Sequence, residues 1–113
     1  MAKLETTLYG SLDRWIDKIE AGILHGSVSA SLEDGSDYCS ADGRVRCSVR
    51  VFERYSMMGG NRVSLNVTLF QDADGVIRCS AITSGGSQAT FVKLNTIGEE
   101  SFLDCFREIV EKS

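Results

Sequence analysis

The chain has 113 residues, with 16 Asp and Glu against 12 Lys and Arg, for a formal net charge of −4. This length supports one domain with one modest core, and 42% hydrophobic with 25% charged residues is an ordinary globular balance that argues against disorder. The acidic excess argues against non-specific nucleic-acid binding. No apolar run approaches the roughly 20 residues of a bilayer span, and Met1 to Thr6 lack the apolar centre of a signal peptide, so the expected address is the cytoplasm.

Lys3 to Tyr9 alternates loosely and predicts a first strand, which Gly10 ends. Ser11 is placed to cap a helix whose first turn holds Asp13, and Leu12, Trp15, Ile16, Ile19 and Ile23 fall on one helical face. His25, the single histidine, stands near the helix C-terminus, where the dipole favours a cation. Gly26 is expected to stop the helix in the left-handed conformation. Ser27 to Glu33 alternates strictly, with Val28, Ala30 and Leu32 on one side, and predicts a half-buried strand. The acidic stretch 33–43 reads as a loop.

Residues 44–55 predict the clearest strand. Val45, Cys47, Val49 and Val51 share one parity, expected inward; Arg44, Arg46, Ser48, Arg50, Phe52 and Arg54 share the other, expected outward. Residues 62–71 repeat the scheme, with Val63, Leu65, Val67 and Leu69 inward and Arg62, Ser64, Asn66, Thr68 and Phe70 outward. A glycine-bearing hairpin loop, 55–61, joins the two. With no proline in the chain, turns rest on Gly, Asn, Asp and Ser, and Asp72 to Gly75 is such a turn. Residues 76–83 predict another strand, 84–88 a glycine-rich loop, and 89–94 a short extended segment. From Glu99 the period becomes helical, with Phe102, Leu103, Phe106, Ile109 and Val110 as the apolar stripe. The order β-α-β-β-β-β-(β)-α predicts an α+β fold: an antiparallel sheet of five to six strands, with an N-terminal and a C-terminal helix packed on one face.

The four cysteines, Cys39, Cys47, Cys79 and Cys105, form no C-x-x-C pair, and one histidine supplies no metal cluster. Reduced thiols are expected, with Cys47 and Cys79 as small core side chains. The glycine loops match neither the P-loop nor the dinucleotide pattern. No catalytic residue, metal or cofactor is therefore expected, and the candidate chemistry is binding. One candidate surface is the outward stripe Arg46, Arg50, Arg54 and Arg62 with Phe52 and Phe70, since guanidinium groups suit carboxylates and phosphates while rings supply contact area. The stripe reads first as a solvated face paired with the acids of 33–42, next as a protein or self-association surface, and last as an anion site. A second candidate is the loop Ser84, Gly85, Gly86, Ser87 and Gln88, whose backbone N–H groups can converge on a ligand. The expected partner is a protein or a small anionic or apolar ligand; nucleic acid and membrane are disfavoured, and a homodimer is open.

The stretches Gly26 to Asp34, Phe52 to Ser56, Gly59 to Leu65, Ala81 to Ala89 and Gly98 to Leu103 resemble a family of small bacterial proteins of unknown function. That resemblance spans nearly the whole chain, implies an intracellular bacterial domain, and names no catalytic residue. The element order is also similar to helix-grip domains, which would imply an apolar cavity between the sheet and the C-terminal helix, and with it a ligand-binding domain or an enzyme.

Overall fold

The computed structural model describes residues 1–55, 62–85 and 92–112. Its elements are β1 (Ala2–Tyr9), α1 (Leu12–Gly26), β2 (Ser31–Cys39), β3 (Arg46–Tyr55), β4 (Arg62–Ala73), β5 (Val76–Gly85) and α2 (Val92–Glu111). The fold is the expected α+β architecture, with five antiparallel strands ordered β1-β5-β4-β3-β2. Strands β2 to β5 are successive hairpins. Strand β1 closes the sheet beside β5, so α1 carries the chain from one edge of the sheet to the other.

Local chemistry sets these boundaries. Gly10 turns the chain at φ 117°, a conformation that disfavours any side chain. Ser11 then caps α1, its hydroxyl accepting from the Arg14 amide at 3.3 Å. The Trp15 indole donates to the Tyr9 carbonyl at 2.9 Å and ties the helix start to the end of β1. Leu12, Ile16, Ile19 and Ile23 are buried, as their spacing predicts.

Gly26 ends α1 by a different route from the one expected. Its φ is not positive, and Ser27 is the cap, at φ −144°. The glycine serves close helix contact instead. A Cβ at Gly26 would stand 3.5 Å from the Cys105 sulfur, and one at Gly22 would stand 2.6 Å from Ile109 Cδ1. Two glycines four residues apart thus flatten one strip of α1, and α2 lies against it.

The core joins these helices to one face of the sheet. Val63, Leu65, Val67 and Leu69 of β4 meet Ile77, Cys79 and Ala81 of β5, with Phe102, Leu103 and Phe106 of α2 above them. Burial pushes the Cys79 thiol up to about 12, which fits an inert core side chain.

Three expectations need correction. The second strand starts at Ser31 and runs through the acidic stretch to Cys39, while Val28 is fully exposed. Within 89–94, residues from Val92 onward belong to α2 and 89–91 lie outside the described residues, among which the sheet has five strands. The third correction is the most consequential: the faces of β3 are exchanged. Phe52 pairs with Leu65 and is 0% exposed, so Phe52 and the arginines of its parity face the helices. Cys47, Val49 and Val51 lie on the helix-free face and are only half-buried. Register forces this, because directly paired residues share a face, and the buried parity of β4 is unambiguous.

The glycine strip makes a testable point. Gly22→Leu is expected to lower stability in urea unfolding by about 1–3 kcal/mol, the usual range for overpacking. Adding Ile109→Ala should recover part of that loss, so that the double variant is less destabilised than the sum of the singles. Strict additivity would contradict the contact.

Candidate functional site

The exchanged parity brings three arginines under α1. Arg46 makes a two-pronged pair with Asp13, its Nη2 and Nη1 donating at 2.8 and 3.3 Å. Arg50 donates from Nε to Glu20 at 2.8 Å. The two terminal nitrogens of Arg50 also grip Asp37 of β2 at 3.1 and 3.2 Å. Arg54 donates to the hydroxyls of Ser27 at 3.1 Å and Ser101 at 3.0 Å, and its guanidinium lies 4.4 Å from the centre of the Phe102 ring.

The spacing explains the ladder. Four residues of strand advance about 13 Å, and seven residues of helix advance about 10.5 Å. Arginines at 46, 50 and 54 therefore keep step with residues 13, 20 and 27 on one stripe of α1, and long side chains absorb the remaining difference. Gly35 makes room for the middle rung: it pairs with Arg50, and a Cβ there would stand 2.9 Å from Arg50 Cδ.

The electrostatics follow from these contacts. The Arg46 hydrogen bonds hold the Asp13 carboxyl below its ordinary value, and the Ser48 hydroxyl and Arg50 hold Asp37 down likewise. Burial pulls the Arg50 guanidinium down, but Glu20 and Asp37 more than offset it and leave it raised. Burial lowers Arg54, with no carboxylate to oppose it.

The expected arginine stripe is thus divided. Arg46, Arg50 and Arg54 are turned to the helices with Phe52. Arg62 and Phe70 remain on the helix-free face. Arg62 is paired with Glu53 at 2.7 Å and approaches Glu33 at 3.6 Å, so an acid from the 33–42 stretch does reach it, as Asp37 reaches Arg50.

Of the glycine-loop candidate, Ser84 and Gly85 are the last two residues of β5, and Gly86, Ser87 and Gln88 lie outside the described residues. Ser84 exchanges a 2.9 Å hydrogen bond with Ser64. The Gly85 amide donates to Glu99 Oε2 at 2.9 Å. Glu99, only 6% exposed, also accepts from the Met1 ammonium at 3.0 Å, while its carbonyl accepts from Thr83 at 3.1 Å. Glu99 is not among the residues that the sequence singles out. Its only signal was an acid at the edge of an apolar stripe.

The helix-grip likeness implies a cavity beneath α2. Among the described residues, Phe52, Phe102, Leu103 and Phe106 pack in that space, each 0–1% exposed. A groove of about 320 Å³ lies between the outer sides of the helices, lined by Lys18, Gly22, Gly26, Cys105, Glu108, Ile109 and Lys112. Among the described residues no cluster of His, Cys, Asp and Glu is grouped to hold a metal, and no helix is long and apolar enough to cross a membrane.

A family model matches residues 1–113 from end to end. The chain belongs to the family of unknown function DUF6054. The resemblance seen in the sequence is therefore confirmed at the level of the family. Neither a curated protein nor a solved structure matches the chain.

The ladder predicts acid sensitivity. Asp13 and Asp37 are lowered in the fold, so the stability they add is present above the ordinary aspartate value of 3.8 and is lost as pH falls through their lower folded values. Urea unfolding of the native chain should show that acid-side loss, and Asp13→Asn with Asp37→Asn should flatten it. An unchanged acid slope in the double variant would contradict the linkage.

Proposed function

We propose that this chain is a non-enzymatic binding module that works as a pair, docking the helix-free face of its sheet on the same face of a second copy. The observation that carries this reading is the composition of that face. Its centre holds Val49 and Val51 of β3, Phe70 of β4 and Ile82 of β5, all half-buried by their neighbours and covered by no helix. Around them stand three cations, Lys3, Arg62 and Arg78, and three acids, Glu5, Asp34 and Glu53.

A face with balanced signs and an apolar centre exerts no net field to select an acidic or a basic partner. It suits a two-fold contact, in which each patch meets its own copy. Arg62, Phe70 and Ser84 keep their place in this surface. Five strands spaced about 4.8 Å apart and about ten residues long present roughly 800 Å², which matches the area each partner gives to a stable interface. The bacterial setting implied by the family resemblance and the cytoplasmic address expected from the sequence belong to the same reading. Four free thiols, one of them exposed at Cys39, support a reducing compartment.

Sedimentation velocity at high micromolar concentration tests the reading. The native chain should sediment as a dimer, and Phe70→Asp, which alters a side chain directed away from the core, should sediment as a monomer with its circular dichroism unchanged. A monomeric native chain, or a Phe70→Asp variant that stays dimeric, would overturn it.

A further inference from the structure

The third rung of the ladder differs from the other two. Arg46 and Arg50 each meet a carboxylate of α1, but seven residues beyond Glu20 the helix offers Ser27. The second partner of Arg54, Ser101 of α2, is also neutral. No carboxylate lies within ion-pairing distance of Arg54 among the described residues, and those residues hold all 16 acids of the chain. A half-buried guanidinium is thus held without a counter-charge, although the same strand supplies one to each preceding arginine.

The surrounding donors point the same way. A guanidinium has five N–H donors and no acceptor. Two of the five N–H groups of Arg54 are given to the serines. Each hydroxyl spends its oxygen on Arg54, and among the described contacts neither donates its own hydrogen. One face of the guanidinium is covered by Phe102, which fixes its plane and leaves its edge as the side for a ligand. The site is reachable, since Ser101 is exposed and Ser27 and Arg54 are half-buried. The interhelical groove begins beside it, at Gly26 and Cys105.

We propose that Arg54, Ser27 and Ser101 form a binding site for the phosphoryl group of a small soluble molecule, with the rest of that molecule directed along the groove between α1 and α2. A cluster that is all donor and carries one positive charge calls for an anionic ligand that is all acceptor. A phosphoryl group brings three such oxygens, enough to engage the guanidinium edge and both hydroxyls together, whereas the two oxygens of a carboxylate are satisfied by the guanidinium alone. The site is on the helix side of the sheet and is independent of the pairing face.

The test is an NMR titration of the full chain with inorganic phosphate and with phenyl phosphate, each against sodium chloride at matched ionic strength. Saturable shifts are expected at the amides of Ser27 and Ser101 and at Arg54 Nε, with phenyl phosphate binding more tightly because its ring reaches the groove. Ser101→Ala changes an exposed side chain and should leave the fold intact while weakening binding about ten- to hundredfold, the range for one hydrogen bond to a charged group. Arg54→Lys should abolish it, and a matching spectrum elsewhere would show that the variant is folded. Shifts that chloride reproduces, shifts that do not saturate, or affinity unchanged in Ser101→Ala would overturn the proposal.

Discussion

Burying a guanidinium until its side chain is only 15% exposed carries a desolvation cost that counter-charges offset, and Arg50 is placed so beneath a helix. Glu20 comes from α1 above it and Asp37 from β2 beside it, so one side chain links a helix, an edge strand and the strand between them. Pairs of this kind add little net stability, because desolvating the charges consumes much of what their attraction returns. Their effect is on arrangement. Slipping β3 by one residue would turn Arg50 to the helix-free face and strand Glu20 and Asp37, while also removing Phe52 from the core. Register, helix placement and the conformation of the acidic edge strand therefore depend on one another through this residue.

The two faces of the sheet follow from that constraint. Over β5, β1 and β4 the helices bury a conventional apolar core. Toward β3 the apolar stripe of α1 gives way to its polar edge, and arginines meet that edge in place of valines. The valines of β3 are left on the opposite side. A sheet whose charged residues are turned toward its helices and whose β-branched residues are turned away has an unusual distribution of polarity. It is the source both of the half-buried apolar centre proposed to pair and of the unmatched guanidinium proposed to hold a phosphoryl group.

Much of the fold was legible because single elements announced themselves. Ser11, Asp13 and the isoleucines define α1, the alternating Val and Leu of 63–69 define β4, and Asp74-Gly75 defines the turn after it, with Gly75 at φ 74°. What failed was inference between elements. The alternation in β3 is regular from Val45 to Val51, and a rule that sends valine inward and arginine outward has no access to Asp13 and Glu20, which lie 30 or more residues away. Only Phe52, apolar among arginines, marked the true inward parity. The polar stretch Ser31 to Cys39 reads as a loop because its pairing comes from β3 and not from its own propensity. Of the proposed site, Arg54 stood among the sequence candidates without its neighbours. Ser27 and Ser101 have no local signal that distinguishes them from other surface serines.

The polarity of the two sheet faces rests on the inward arginine ladder, and the Nε–Hε proton of Arg50 reports on it most directly. In an NMR spectrum of the native chain it should appear as a separate resonance in slow exchange with water, with a cross-peak to the Glu20 side chain, while the exposed Arg44 is averaged by solvent. An Arg50 signal that exchanges as fast as that of Arg44 and shows no contact with Glu20 would place the arginines on the outer face and contradict the account.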